Sequence, residues 1–288
     1  MKILVPIDFS ECSDNACQYA LKFASEYQAE IKLFYSYVIP TYSNPGSMFD
    51  FVGFDDVSNE LIEANKQHEE EKIINFHSKI KAQIKRKNIK NVTLSNYQLS
   101  SGIAEDEIIS YSLVYNPDVI IMGIKGESGL FENLFGSVTQ SVIDHAEFPV
   151  IAVPLEAKYK TIKNIVYAIR FDDADFIAID KLMTFKGSLN PKIFFVYVCF
   201  GAKFRLDYRN MLTIRNYVKK YKDTQMAFDI VESENVLAGF DEYMQKNRID
   251  IISIAKQKRN FFTKLLTPSF TKKMLLHTEI PLLVFHEK

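Results

Sequence analysis

A glycine-rich segment in the middle of the chain is the strongest candidate for chemistry. In GIKGESGLFENLFGSVTQ, residues 123–140, Gly123 and Gly126 stand three apart, and Gly136 and Ser137 follow after nine more residues. Glycine lets a ligand approach the backbone closely, although it weakens regular structure by roughly 0.5–1 kcal/mol relative to alanine. The first two glycines follow an apolar run, and Ser137 precedes apolar residues at helical spacing. This pattern favours a loop that binds phosphate through backbone N–H groups at a helix N-terminus.

Helix capping is an alternative explanation for part of this segment. The stretch SVTQ, residues 137–140, fits the capping box, in which Ser137 accepts from an amide three residues on and Gln140 reaches back. Capping explains Ser137 without a ligand, but it does not explain Gly123 or Gly126. The motif is neither GxxxxGKS/T nor GxGxxG, so it indicates neither a P-loop nor a Rossmann dinucleotide site.

An internal repeat predicts the elements that position this loop. Residues 118–154 align without a gap on residues 250–286, and the start of the chain, residues 3–10, aligns more weakly on residues 165–172. The identical pairs are Asp118 and Asp250, Ser137 and Ser269, Thr139 and Thr271, His145 and His277, and Pro149 and Pro281, all 132 residues apart. The chain is therefore predicted to hold two repeated domains, residues 1–154 and 155–288.

Apolar runs alternate with amphipathic stretches in both halves. The first half predicts strands at residues 3–7, 31–38, 92–99, 119–122 and 150–153, with helices at residues 14–27, 58–87, 104–115 and 138–146. The second half repeats the strands at residues 165–169, 192–198, 226–231, 251–254 and 282–285. This alternation predicts an α/β fold of two doubly wound domains, each a five-stranded, mostly parallel sheet with helices on both faces. If the strand order is 3-2-1-4-5, Asp8 after the first strand and Gly123 after the fourth line one crevice.

Composition limits the class of protein. The chain has 288 residues, of which 47% are hydrophobic, so it is long enough for two globular cores. Three cysteines, Cys12, Cys17 and Cys199, are too few for a disulfide framework and indicate a reduced, cytoplasmic compartment; a packing role is expected for the first two. No apolar run approaches the roughly 18 residues of a membrane span, and no signal peptide is evident. Neither membrane nor nucleic acid is an expected partner.

The two halves carry opposite net charges. Residues 1–154 hold 12 Lys and Arg against 21 Asp and Glu, a net charge of −9, whereas residues 155–288 hold 23 against 15, a net charge of +8. Attraction between the halves and two independent solvated surfaces are both left open.

No residue pattern predicts an enzyme. The five histidines include no HExxH pair, and GxSxG, HxGH and SGGxDS are absent. No dedicated general base stands beside the glycine segment. We therefore predict no catalytic residue and no metal ligand.

The glycine spacing resembles the ATP-binding signature of the universal stress protein (UspA) family. The opening KILVPIDFSECSDNA is similar to that family's start, and FPVIAVP at residues 148–154 resembles its dimerising last strand. The resemblance covers nearly the whole chain as a tandem pair, strongly in the first half and weakly in the second. It implies the 3-2-1-4-5 strand order, ATP with or without Mg²⁺ as ligand, and an intramolecular pseudo-dimer of the halves, paired last strand to last strand. A homodimer is left open.

The resemblance also implies site residues in the first half. Asp8 would contact the adenosine side, and the backbone near Val38 would recognise adenine. Phosphate contacts would come from Gly123, Gly126, Gly136, Ser137 and Val138. Helix capping by Asp8 and a plain strand end at Val38 are left open as alternatives.

The second half departs from the signature at each equivalent position. The replacements are Arg170 for Asp8, Ala255 for Gly123, Lys258 for Gly126 and Pro268 for Gly136. We predict that this half does not bind ATP in the same manner, because Pro268 removes an N–H donor and Lys258 fills the approach. Since the repeat makes this connection without glycine, folding alone is not expected to require the three glycines.

Three functions are compatible with these residues. The first is a stress-response protein that binds ATP as a regulatory, largely non-catalytic ligand and acts on an unidentified protein partner. The second is a non-enzymatic assembly module with a vestigial site, and a slow ATPase is a third. Residues 40–56 are predicted as a connecting loop beside the crevice, with a lid or a partner surface as alternatives.

Overall fold

Alternating helices and strands are present in both halves, as the apolar periodicity predicts. The structure, a computed structural model, describes residues 1–39, 54–124, 136–171, 173–187, 189–199, 204–222, 224–233, 236–256 and 280–286. The first half contains β1 (Lys2–Ile7), α1 (Glu11–Tyr27), β2 (Glu30–Tyr37), α2 (Phe54–Arg86), β3 (Thr93–Leu94), β4 (Gln98–Ser101), α3 (Ala104–Tyr115), β5 (Val119–Gly123), α4 (Ser137–His145) and β6 (Val150–Val153). The second half contains β7 (Asn164–Ala168), α5 (Asp173–Phe185), β8 (Lys192–Cys199), α6 (Phe204–Tyr217), a 3-10 turn (Val218–Lys220), β9 (Met226–Glu232), α7 (Val236–Asn247), β10 (Ile251–Lys256) and β11 (Leu282–His286).

In the described ranges, the strands form one sheet of eleven strands. Its order is β3-β2-β1-β5-β6-β11-β10-β7-β8-β9, with β4 pairing with β2 beyond the end of β3. The described pairings within each half are parallel, and both halves show the 3-2-1-4-5 order. The α/β prediction is confirmed, with one refinement: the two predicted sheets are continuous.

The joint between the halves is the antiparallel pair β6–β11. Ile151 lies opposite Leu283, and both side chains are fully buried. The pairing of last strand to last strand is therefore present within the one chain. Aromatic side chains extend this contact, since Phe185 of α5 lies 5.8 Å from Phe23 and 6.0 Å from Tyr27 of α1, between ring centroids.

The third predicted strand is broken, contrary to the single run at residues 92–99. Thr93 pairs with Glu30, whereas Gln98 pairs with Phe34, so the register shifts by one residue between the two segments. Between the two segments, the Ser95 hydroxyl donates to the carbonyl oxygen of Ile31 at 3.0 Å. One extra residue between the two segments interrupts the hydrogen-bond ladder between this strand and β2.

Both faces of the sheet are buried. Ile3 and Val5 of β1 face one apolar core, and Leu4 between them faces the other. This pattern is typical of a parallel sheet covered by helices on both faces. Among the helices in the described ranges, none is long and apolar enough to cross a membrane.

The aspartates of the repeat have a structural role. Asp118 Oδ2 accepts from the Lys2 amide at 2.6 Å, and Asp250 Oδ2 accepts from the amides of Lys163 and Asn164 at 2.9 and 2.8 Å. Each aspartate thus pairs a backbone donor where the first strand of its half begins. This end of the sheet lies opposite the predicted crevice.

Candidate functional site

The carboxyl ends of β1 and β5 border a cavity in the first half. Its volume is about 120 Å³, and the N-terminus of α4 and the first turn of α1 complete its walls. Five of the seven predicted site residues line it: Asp8, Gly123, Gly136, Ser137 and Val138. Ligand pockets typically measure about 300–1,000 Å³. A nucleotide would therefore place one part in this cavity and extend beyond it.

Of the other two predicted residues, only Val38 is described, and it is not among the lining residues. Val38 follows β2, and its side chain is 70% exposed, so a contact through its backbone stays a prediction. Gly126 lies outside the described residues. So do residues 40–53 of the predicted loop and, in the second half, Lys258 and Pro268.

Asp8 follows β1 and holds the start of α1. Its Oδ1 accepts from the Ser10 amide at 3.1 Å and from the Ser10 hydroxyl at 2.6 Å. Ser10 is the N-cap of α1, and its Oγ accepts from the Ser13 amide at 3.2 Å. The cap is thus Ser10 and not Asp8, whose carboxylate orients the capping serine at the edge of the cavity.

The structure corrects the predicted cap of α4. Gly136 is the N-cap residue, with an extended backbone at φ −61° and ψ 136°, and Ser137 is the first residue of the helix. The predicted capping box is therefore not formed. Glycine has no side chain, so in the described residues the N-cap position makes no side-chain hydrogen bond to the first amides of the helix. The first amides of a helix have no partner within it, and here Ser137, Val138 and Thr139 line the cavity. This end of α4 offers N–H donors and the positive end of the helix dipole to an anion.

Two hydrogen bonds join the start of α4 to the end of β5. The Thr139 hydroxyl donates to the carbonyl of Gly123 at 2.7 Å, and the Gly136 amide donates to the carbonyl of Ile124 at 2.8 Å. Thr139 is buried. Thr139 is not among the predicted site residues, although the repeat has a threonine at the equivalent position, Thr271. These bonds fix the helix amides relative to the glycine at the strand end.

Gly123 is required by packing, which corrects the expectation that folding does not need the glycines. A Cβ at this position would lie 2.8 Å from the carbonyl oxygen of Cys12 and 2.9 Å from its Sγ. Distances below about 3.0 Å to backbone atoms force a shift of the chain. The first turn of α1 therefore packs on β5 only because position 123 has no side chain. The equivalent Ala255 shows that the second half accommodates a Cβ there.

The opposite wall of the cavity is apolar and was not predicted. It includes Phe34 of β2, Ile108 of α3 and Met122 of β5, all buried. Ser36 lies on the same side and donates to the carbonyl of Gly102 at 2.9 Å. The cavity thus combines a wall suited to a flat apolar ring with a wall of helix amides suited to an anion. In sequence these residues look like ordinary core positions.

The equivalent region of the second half has different chemistry. Arg170 replaces Asp8, and its amide donates to Asp175 Oδ2 at 3.0 Å. The Tyr167 hydroxyl donates to Asp175 Oδ1 at 2.9 Å, and Asp175 is fully buried. Asp175 occupies the position of Ser13, which lines the cavity of the first half. A buried carboxylate in place of a hydroxyl disfavours a phosphate, because like charges repel strongly away from water.

The cysteines are packed in the core, whereas His145 is exposed at the end of α4. Cys12, Cys17 and Cys199 are buried and form no disulfide, and burial raises the pKa of Cys17 to about 12. His145 Nδ1 lies 3.0 Å from the carbonyl oxygen of Ser141 at the end of α4. In the described part of the chain, no three His, Cys, Asp or Glu side chains cluster as metal ligands would.

Sequence comparisons match the first half to one family. The model of the universal stress protein family covers residues 1–154. Universal stress protein MJ0531 of Methanocaldococcus jannaschii is 30% identical over 153 residues, which make up 53% of this chain and 81% of that protein. Universal stress protein YxiE of Bacillus subtilis is 29% identical over 156 residues, 53% of this chain and 97% of that protein.

Comparison with solved structures extends the likeness to the whole chain. A universal stress protein from Archaeoglobus fulgidus has a TM-score of 0.69 at 17% identity, with 100% of this chain and 98% of that chain covered. At this identity the likeness shows the fold alone. The fold is thus shared over both halves.

Proposed function

Because the chain belongs to the universal stress protein family, we propose that its first half binds one ATP as a regulatory ligand in a stress response. The observation that carries this proposal is the start of α4. Its first residues, Ser137, Val138 and Thr139, are preceded by a glycine N-cap and line the same cavity as Asp8 and Gly123. A helix N-terminus without a side-chain cap suits a phosphate group.

Each predicted residue has a role in this proposal. The amides of Ser137 and Val138 bind phosphate oxygens, together with the glycines, and Asp8 accepts hydrogen bonds from the ribose hydroxyls. The apolar wall at Phe34 contacts the adenosine, and the backbone near Val38 recognises adenine. Mg²⁺ would accompany the phosphates outside the cavity, held mainly by them and by water.

In this proposal ATP is a bound ligand and not a substrate for hydrolysis. Hydrolysis requires a positioned water and groups that stabilise charge on the transferred phosphoryl group. Asp8, the carboxylate in the cavity wall, is already bonded through Oδ1 to both donors of Ser10. That engagement supports a structural and binding role for Asp8, with turnover near background.

The second half acts in this proposal as a permanent partner. We place the boundary after Pro154, so that residues 155–288 form a degenerate domain that pairs through β6–β11 and leaves ATP to the first. A bound nucleotide would then shift the conformation of a surface that binds a protein partner in the cytoplasm.

Replacing Asp8 by asparagine tests the proposed site. We expect Asp8→Asn to weaken ATP binding about tenfold, since a hydrogen bond to a charged acceptor contributes roughly 1.5–3 kcal/mol. Asparagine retains an acceptor for Ser10, so the fold is expected to persist. Isothermal titration calorimetry of the full chain with ATP and Mg²⁺ measures the change.

The matched control is Asp118→Asn at the opposite end of the sheet. It also loses a carboxylate that accepts a backbone hydrogen bond, from Lys2, and is expected to bind ATP as the wild type does. Absence of binding by the wild type at millimolar ATP would refute the proposed function and support the assembly alternative. Equal weakening by both variants would show that Asp8 has no specific role.

A further inference from the structure

Helix α4 contacts the candidate nucleotide site at one end and the second half at the other. Its first residues line the cavity. In its last turn, the carbonyl of Ile143 accepts from Lys256 Nζ at 3.0 Å and lies 2.9 Å from His286 Nε2. Lys256 ends β10 and His286 ends β11, both strands of the second half. Last-turn carbonyls have no partner within a helix, so the second half supplies partners to this helix end.

Lys256 is the cation of this contact. Its Nζ also lies 2.9 Å from Asp144 Oδ1 of α4, and the two side chains are 9% and 23% exposed. A cation near a helix C-terminus interacts favourably with the helix dipole, as an anion does at the N-terminus. Burial reduces screening by salt and water, but it also removes the ammonium group from water, and this desolvation lowers the pKa of Lys256 despite the contact with Asp144.

His286 contributes a neutral donor. It is buried, and desolvation is the main cause that lowers its pKa to about 4, so the imidazole is uncharged at pH 7. The charge facing the end of α4 from β10 and β11 is therefore that of Lys256.

We propose that Lys256 is a positioning residue for the nucleotide site of the first half and acts on it through α4. This inference rests on the proposed function. The helix has nine residues and is thus about 13 Å long. It is joined to β5 by Thr139 at its start and to β10 by Lys256 at its end. Loss of the second contact frees the helix to shift, which moves the amides that face the phosphates.

Coupling of this kind is reciprocal. If Lys256 improves ATP binding through α4, bound ATP must strengthen the contact between α4 and the second half by the same factor. The degenerate half would therefore regulate the nucleotide site while binding no ATP itself.

Titrations of the full chain with ATP and Mg²⁺ test this role. Lys256→Met keeps the length of the side chain but loses its charge, and we expect about fivefold weaker ATP binding, the lower end of typical coupling. Lys256→Arg is expected to bind within about twofold of wild type. Lys220→Met is the matched control, since it breaks a 3.0 Å ion pair with Asp180 that lies within the second half; its ATP affinity is expected to equal that of wild type.

Hydrogen exchange adds a readout that general destabilisation would not reproduce. In Lys256→Met, amides of α4 are expected to exchange faster than in wild type, and ATP is expected to restore only part of their protection. The Lys220→Met variant is expected to show wild-type exchange in α4. If Lys256→Met does not fold, Asp144→Asn removes the same ion pair from a partly exposed position and is expected to weaken ATP binding about twofold.

The outcomes separate this inference from the proposed function. If wild type binds ATP and Lys256→Met binds equally well, the role of Lys256 is refuted and the nucleotide site stands. If both lysine-to-methionine variants weaken binding alike, the effect is general and the role is again refuted. If wild type binds no ATP, the proposed function fails and the role of Lys256 fails with it.

Discussion

A valine at position 123 is expected both to destabilise the protein and to disrupt the proposed nucleotide site. Because a Cβ at Gly123 would lie 2.8 Å from the carbonyl oxygen of Cys12, the first turn of α1 must move away from β5. Overpacking of this kind costs about 1–3 kcal/mol. The same turn is tied to Asp8 through Ser10, so we expect Gly123→Val to weaken ATP binding about tenfold or more, equivalent to roughly 1.4 kcal/mol per factor of ten.

Chemical denaturation and calorimetric titration measure the two effects. The control is Ala255→Gly at the equivalent position, which removes a buried methyl group and is expected to cost about 0.8 kcal/mol without changing ATP affinity. Wild-type stability of Gly123→Val would contradict the close approach of α1 to β5. Lost stability with unchanged ATP affinity would separate the packing of Gly123 from the nucleotide site.

Truncation of Leu283 is expected to have the largest effect on stability. Leu283 is fully buried opposite Ile151, where β11 pairs with β6. Removing a buried leucine side chain to alanine typically costs about 2–5 kcal/mol, because transfer energy is lost and a cavity is left. Leu283→Ala should therefore lower the denaturation midpoint of the full chain strongly.

Leu33→Ala is the matched control, because it shows how much stability is lost when a buried leucine away from the joint is truncated. Leu33 is equally buried in β2, away from the joint, and a loss of about 2–5 kcal/mol is expected there too. If Leu283→Ala costs less than about 0.5 kcal/mol, as exposed sites do, while Leu33→Ala shows the full loss, the joint between the halves is not formed in solution.

Much of the fold was predictable because buried positions recur as apolar residues at regular spacing in the sequence. The strands of a parallel sheet are apolar on both faces, so runs such as residues 119–122 and 251–254 stand out between amphipathic helices. The offset of 132 residues identified the second half despite its low similarity. The break between β3 and β4 was not predictable, since a one-residue register shift changes pairing without changing the apolar pattern.

The position of the candidate site was predictable from the sequence. The helix cap and the packing contact that shape the site were not. Sequence spacing brought Asp8, Gly123 and Gly136 to one crevice, where the structure places them. It assigned the cap of α4 to Ser137, because serine is the commoner cap, whereas the backbone of Gly136 takes that role. The need for glycine at position 123 comes from Cys12, more than a hundred residues away, and no local pattern reports that contact.

The residues after Asp8 and Arg170 show a strained backbone that sequence did not predict. Phe9 and Phe171 have φ values of 62° and 63°, which bulky residues rarely adopt. Aromatic contacts hold them, with Tyr35 4.6 Å from Phe9 and Tyr197 4.5 Å from Phe171, between ring centroids. Because the strain occurs in both halves, it belongs to the shared fold and is not evidence for a nucleotide.

Native mass spectrometry of the full chain with ATP and Mg²⁺ tests the central claim most directly, since it counts the nucleotides bound to each chain. We expect one ATP per 288-residue chain, bound by the half that holds Asp8, with a smaller fraction of adduct for Gly123→Val at the same ATP concentration. Two ATP molecules per chain would contradict the degeneracy of the second half. No adduct at millimolar ATP would contradict the nucleotide site itself.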